Sequence, residues 1–316
     1  MIDSSKYAYS VGRVRVSENY MLDNLSFLRL LDAKDLKDAK RLLVENRYKD
    51  FDNYTDMLDN QLLELYSYLR SILPDLKVFD AFFFKYDLHN IKVLLKSEFL
   101  EKAHDAFLSN LGVLSIDDMK NALKERDFSK LPPLIQEAVR ESIEAFSKSE
   151  DPQLIDLIMD KAYYEYFNNI LNKSGDKFLK DFARLQTDLL NIKAFIRIKR
   201  IFKDYSFINK TLIEGGSIKI DEYREFFLED LESFFTYIKK TEYEKILEGK
   251  DIEKNCDDFM TSFLRSNKYD PIGIAAIVGY LMGKETEIKN ARIILMGKAN
   301  KIDKETTRER LRLTYV

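Results

Sequence analysis

Asp87-Leu88-His89-Asn90-Ile91-Lys92-Val93-Leu94-Leu95-Lys96 has two later counterparts, Asp188-Leu189-Leu190-Asn191-Ile192-Lys193-Ala194-Phe195-Ile196-Arg197 and Glu287-Ile288-Lys289-Asn290-Ala291-Arg292-Ile293-Ile294-Leu295-Met296. The spacings are 101 residues (Asp87 to Asp188) and 99 residues (Asp188 to Glu287), each close to a third of the 316-residue chain. Every copy carries an acid three residues before an asparagine and a base two residues after it: Asp87, Asn90 and Lys92; Asp188, Asn191 and Lys193; Glu287, Asn290 and Arg292. Apolar residues stand at −2, +1, +4 and +5 from the asparagine, which is one stripe of an α-helix. The acid and the asparagine are helical neighbours at the edge of that stripe. A partly buried amide there can bond its acid or the end of a neighbouring helix.

A second element keeps the same period. Asp59 and Asp160 precede their asparagines by 31 residues, and Glu64 and Glu165 precede them by 26. The third copy has Phe259 and Leu264 at those places. Acid-bearing helix starts are expected at Lys34-Asp35-Leu36, Ile116-Asp117-Asp118-Met119 and Ile220-Asp221-Glu222-Tyr223, where carboxylates complement the positive helix end. Three helical units follow, 1–105, 106–208 and 209–316, with Gly215-Gly216 marking a turn after the second boundary.

Composition agrees with an all-α chain. Glycine (10) and proline (5) are sparse, so little interrupts the helical periodicity. Val11–Val16 and Val78–Phe84 are the only strand candidates. With 45% apolar residues, a chain of this size buries a substantial core without staples. Lys and Arg (51) nearly balance Asp and Glu (54), giving a net charge of −3. That balance argues against nucleic acid as a partner, because phosphate binding needs a net basic field. A single cysteine, Cys256, excludes an internal disulfide and fits a reducing compartment. No signal-like apolar core opens the chain, and the apolar stretch Pro271–Gly283 is shorter than the roughly 20 residues a spanning helix needs.

Two terminal stretches then make the chain recognisable. Tyr7-Ala8-Tyr9-Ser10-Val11-Gly12-Arg13-Val14-Arg15-Val16-Ser17-Glu18, followed by Met21-Leu22, resembles the opening of the C subunits of archaeal- and vacuolar-type (A/V-type) rotary ATPases, a family related to the eukaryotic d subunits. The ending is more specific: Pro271-Ile272-Gly273, then Gly279-Tyr280-Leu281-Met282-Gly283-Lys284-Glu285-Thr286-Glu287-Ile288-Lys289-Asn290-Ala291-Arg292-Ile293-Ile294, then Gly297-Lys298, Arg308-Glu309-Arg310-Leu311 and Tyr315-Val316. The resemblance spans about Tyr7 to Val316, although about 100–150 carries no motif of its own. It implies three similar helical domains in a pseudo-threefold funnel, with no catalytic residue and no cofactor. It further implies a peripheral place at the cytoplasmic face of the membrane. There the chain would seat the foot of the central stalk on the proteolipid ring, linking ATP hydrolysis or synthesis to H⁺ or Na⁺ movement. A free-standing helical-repeat adaptor is the alternative, and an enzyme of helical type a third.

Other chemistry finds little footing. Gly279-Tyr280-Leu281-Met282-Gly283-Lys284-Glu285 has three residues between glycines, and Glu follows the Lys, so it is not a phosphate loop. The small residues Gly273, Ala276, Gly279 and Gly283 instead suggest close approach of another backbone. Glu101-Lys102-Ala103-His104 is a lone Glu-x-x-His, and a di-iron bundle needs two such motifs with two further glutamates. With two histidines and one cysteine, a zinc site lacks its usual ligands. Acid-base chemistry at Asp87, Asn90 and Lys92 is disfavoured by triplication, which a shared fold explains better. The basic runs Lys193, Arg197, Lys199, Arg200 and Arg308, Arg310, Arg312 read as solvated faces, or as docking points for acidic stalk residues or lipid headgroups. Arg13 and Arg15 would project to one side of an extended segment. Together with Lys284 and Glu285 they are the candidate interface residues.

Overall fold

The computed structural model describes residues 4–100, 105–202, 204–249, 251–271 and 273–316. The Glu101–His104 motif, and Ile272 in the terminal stretch, lie outside them. Among the described residues there are fifteen α-helices and no strand. In chain order they are α1 Ala8–Glu18, α2 Asn24–Asp32, α3 Leu36–Glu45, α4 Tyr54–Ile72, α5 Phe79–Phe99, α6 Ile116–Glu125, α7 Pro133–Ser149, α8 Pro152–Lys173, α9 Lys177–Arg197, α10 Ser206–Thr211, α11 Ile220–Leu228, α12 Leu231–Ile238, α13 Ile252–Ser266, α14 Ile274–Ala299 and α15 Lys304–Glu309. The all-α expectation holds, and both strand candidates are helical: Val11–Val16 lies in α1, and most of Val78–Phe84 opens α5. Apolar runs there fit a buried helix face as well as a strand, and α5 buries Phe79, Ala81, Phe82, Phe83 and Phe84.

Short polar side chains set many helix starts. Asp23 accepts from the Ser26 amide at 2.8 Å, Asp35 from Asp38 at 2.9 Å and Ser115 from Asp118 at 3.0 Å. Asn53, Asp151, Asp176, Asp251 and Asp303 cap α4, α8, α9, α13 and α15 in the same way. Each satisfies an otherwise orphaned N–H and is worth about 1 kcal/mol.

Packing separates the chain into two units, one holding Asp75–Ile238 and the other Asp3–Pro74 with Lys239–Val316. The expected boundaries near 105 and 208 both fall inside the first unit. In that unit α5, α8 and α9 meet through Phe82, Phe167 and Phe182, with Phe82 and Phe167 edge-on at 4.9 Å. Phe195, four residues after Asn191, packs on Tyr223 of α11 and Phe234 of α12. In the other unit α14 is the spine. Ile288, Ala291, Ile294 and Leu295, the apolar stripe of the third copy, form one core with Leu22, Phe27, Leu30, Leu43, Met57 and Leu58 of the N-terminal segment. The two ends of the chain thus share a core.

Candidate functional site: a triplicated asparagine clamp

The three asparagines lie on α5, α9 and α14 with at most 1% of their surface exposed. Each makes the same pair of bonds. Asn90 Nδ2 donates to the Ser109 carbonyl at 2.7 Å, and the Ser109 amide donates to Asn90 Oδ1 at 2.8 Å. Asn191 does this with Ile213 at 2.7 and 2.9 Å, and Asn290 with Arg312 at 2.9 and 2.8 Å. The partner is a loop backbone, 19, 22 and 22 residues onward, rather than a helix end or the acid. An amide carries donor and acceptor side by side, so it alone can close both groups of one peptide residue. The clamped residue's own side chain is free to vary.

The acids complete the arrangement. Asp87 accepts from the amides of Val113 and Leu114 at 2.7 and 3.0 Å, directly before α6. Asp188 accepts from the amides of Ser217 and Ile218 at 2.8 and 3.1 Å, and from the Ser217 hydroxyl at 2.6 Å, just before α11. Gly112 and Gly216 precede these donors, and a Cβ at either would collide with the carboxylate it faces. The sequence suggests only a turn at Gly216; the close approach of Asp188 is a second reason for glycine there.

In the third copy the donors come from the other end of the chain. Glu287 accepts from the Leu22 amide at 2.8 Å, the Tyr48 hydroxyl at 2.7 Å and the Lys284 ammonium. Glutamate is one methylene longer than aspartate, and here it reaches the N-terminal segment. Leu22 therefore stands where Leu114 and Ile218 stand. It follows that α2, not α3, corresponds to α6 and α11, so the expected helix start at Asp35 belongs to another element. Burial beside the Glu287 carboxylate, which would repel a phenolate, pushes the Tyr48 hydroxyl well up.

The bases reach acids that share the hundred-residue period. Lys92 bonds Asp160 at 2.6 Å, and Arg292 bonds Asp59 at 2.7 Å. The third copy carries Phe259 in place of this acid. These pairs are partly exposed, so each contributes at most about 1 kcal/mol.

The interface candidates divide. Arg13 is exposed on α1, with its guanidinium 5.9 Å from the Tyr9 ring centre and 5.8 Å from that of Tyr68. Arg15 pairs with Glu18 at 2.9 Å. Because α1 is helical, the two arginines leave it in different directions, contrary to the extended reading. Lys284 is buried against Glu287 and the Tyr48 ring, so it presents no free surface. Glu285 is half-buried and accepts from Tyr66. The small-residue stripe on α14 is covered by a side chain rather than a backbone: the Tyr315 ring lies over Gly279 and Gly283, while Gly273 faces the Asp270 carboxylate. Among the described residues no group of His, Cys, Asp or Glu is placed to hold a metal, and no helix is long and apolar enough to cross a membrane.

The chain is similar in sequence to C subunits of rotary ATPases. The C subunit of the V-type sodium ATPase of Enterococcus hirae is 25% identical over 278 residues, 85% of each chain. The C subunit of the A-type ATP synthase of Methanosphaera stadtmanae is 26% identical, covering 92% of this chain and 84% of its own. That of Methanosarcina acetivorans is 28% identical, covering 93% and 89%. Residues 10–310, nearly the whole chain and all three clamps except Arg312, match the family described as ATP synthase (C/AC39) subunit, and the chain belongs to that family.

Proposed function

We propose that this chain is a non-catalytic rotor subunit of an archaeal- or vacuolar-type ATPase, seated between the central stalk and the membrane proteolipid ring at the cytoplasmic face. The family match over residues 10–310 carries this reading. The clamps support it physically. A part that transmits torque must resist local opening, and segments with satisfied, buried backbone bonds open least. Each clamp ties a long helix to a loop that would otherwise have unpaired N–H and C=O groups. The nine residues Asp87, Asn90, Lys92, Asp188, Asn191, Lys193, Glu287, Asn290 and Arg292 are on this reading structural, and the chain is built as three related domains about a pseudo-threefold axis. The proposed domains are the units 1–105, 106–208 and 209–316. Arg13 and Arg15 are the chain's proposed contacts with the neighbouring proteins of the rotor.

The reading is tested by mixing the purified chain with detergent-solubilised proteolipid ring and isolated stalk. The chain is expected to bind each and to bridge them in one sedimenting complex. Failure to bind either partner would refute the placement.

A further inference from the structure

The third copy departs from the other two in charge, and the departures converge on one pocket. At the position before the asparagine, His89 and Leu190 are replaced by Lys289. The clamped residue, Ser109 and Ile213 in the first two copies, becomes Arg312. A fold needs only the backbone of that residue, so the clamp here also fixes a cationic side chain over α14. Lys289, Arg292, Arg310 and Arg312 together line a pocket of about 470 Å³, a size that suits a small ligand.

Two of these cations are held in place by a common carboxylate. Asp257 bonds Lys289 at 2.5 Å and Arg312 Nε at 3.1 Å. Arg292 is held by Asp59. Arg310 is exposed, and no carboxylate of the described residues pairs with its guanidinium. The single acid in the lining, Asp251, already accepts from the Lys254 amide as the cap of α13. Ile293, Met296 and Ile302 supply the apolar part of the lining, beside Gly297 and Thr307, whose hydroxyl donates to the Asp303 carbonyl. By contrast, a larger pocket of about 690 Å³ sets Arg15, Arg47 and Lys268 against Glu18, Asp23 and Glu45, and so carries no excess of either sign.

We infer that this pocket is a binding site for a phosphate-type group of two or more negative charges, attached to an apolar or aromatic body that rests on Ile293, Met296 and Ile302. Planar guanidinium groups bind phosphate oxygens two at a time, and carboxylates that pre-position them lower the cost of ordering. Such a group is supplied either by a soluble phosphorylated compound or by the headgroup of an acidic lipid. The site is independent of the rotor reading, since it is tested on the isolated chain.

Titration calorimetry of the full chain with pyrophosphate and with ATP, and sedimentation with phosphatidic acid vesicles against phosphatidylcholine vesicles, separates the two sources. At least one anionic probe is expected to bind one-to-one or to sediment the chain. Arg310→Ala, which removes no observed ion pair, is expected to weaken that binding about tenfold, the effect of losing one charge-assisted contact. Lys289→Ala should do the same. Arg308→Ala, outside the lining, should leave it unchanged. Preference for pyrophosphate or ATP marks a soluble ligand, and preference for phosphatidic acid vesicles marks a lipid. The proposal is overturned if no probe binds at millimolar concentration, or if Arg310→Ala binds as tightly as the parent. Loss of stalk binding in Arg310→Ala without any anion binding would assign the pocket to a protein contact instead, and would also overturn it.

Discussion

Replacing Asn191 by leucine removes one clamp while keeping the number of side-chain heavy atoms. Ile213, the clamped residue, is 5% exposed, so water cannot take over its amide and carbonyl. Each buried backbone group left without a partner costs about 1–3 kcal/mol. The leucine recovers about 1 kcal/mol by burying apolar surface, which leaves a net loss of about 3 kcal/mol. Global unfolding of a chain with two packing units need not be a single transition, so the assay is amide hydrogen exchange at Ile213 itself. A loss of this size corresponds to roughly a hundredfold faster exchange. Asn191→Asp is expected to be worse, because a carboxylate would face the Ile213 carbonyl with no proton to offer. If Ile213 exchanged within threefold of its parent rate in Asn191→Leu, the clamp would contribute nothing and the reasoning would fail.

Further outcomes follow from the same geometry. Gly216→Ala places a methyl group against the Asp188 carboxylate, and should lower stability in chemical denaturation by about 1–3 kcal/mol; Gly249→Ala, which meets no neighbour but sits at φ 71°, should cost about 1 kcal/mol through backbone strain alone. A double-mutant cycle on Lys92 and Asp160 should give a coupling of at most about 1 kcal/mol that shrinks with salt, as expected for a partly exposed pair. Burial, reinforced by the Asp160 charge, pushes the Tyr164 hydroxyl up to about 12. A folded-state value above the unfolded one stabilises the fold below pH 10, and that stability is lost as pH climbs through about 12; Tyr164→Phe should flatten the alkaline fall in a pH series of denaturation midpoints.

Much of this was legible in the sequence for physical reasons. The apolar stripe around each asparagine shows because a helix must bury one face, and Asp87, Asp188 and Glu287 show because a carboxylate recurs where buried N–H groups must be closed. What those side chains bind was not legible. The clamp engages backbone, so Ser109, Ile213 and Arg312 have nothing in common to reveal them. The contact between Glu287 and Leu22 joins positions 265 residues apart, and no local pattern records it. Asp59 and Asp160 were visible as periodic acids, but their bond to a base at the end of a different copy's motif required coordinates. Gly112 and Gly216 were the available signal: glycines 25 and 28 residues after Asp87 and Asp188, each before a helix start. The two arginines of α1 were misplaced because alternating Val and Arg fits a strand, whereas burial of Val11 and Val14 three apart fits the helix that forms.

On the proposed reading, this chain transmits work without performing chemistry. Measuring ions transported per ATP hydrolysed, by the complex reconstituted with and without the chain, tests it most directly. Hydrolysis should persist in its absence while ion transport collapses, and adding the chain back should restore the ratio. Transport at an undiminished ratio without it would contradict the account.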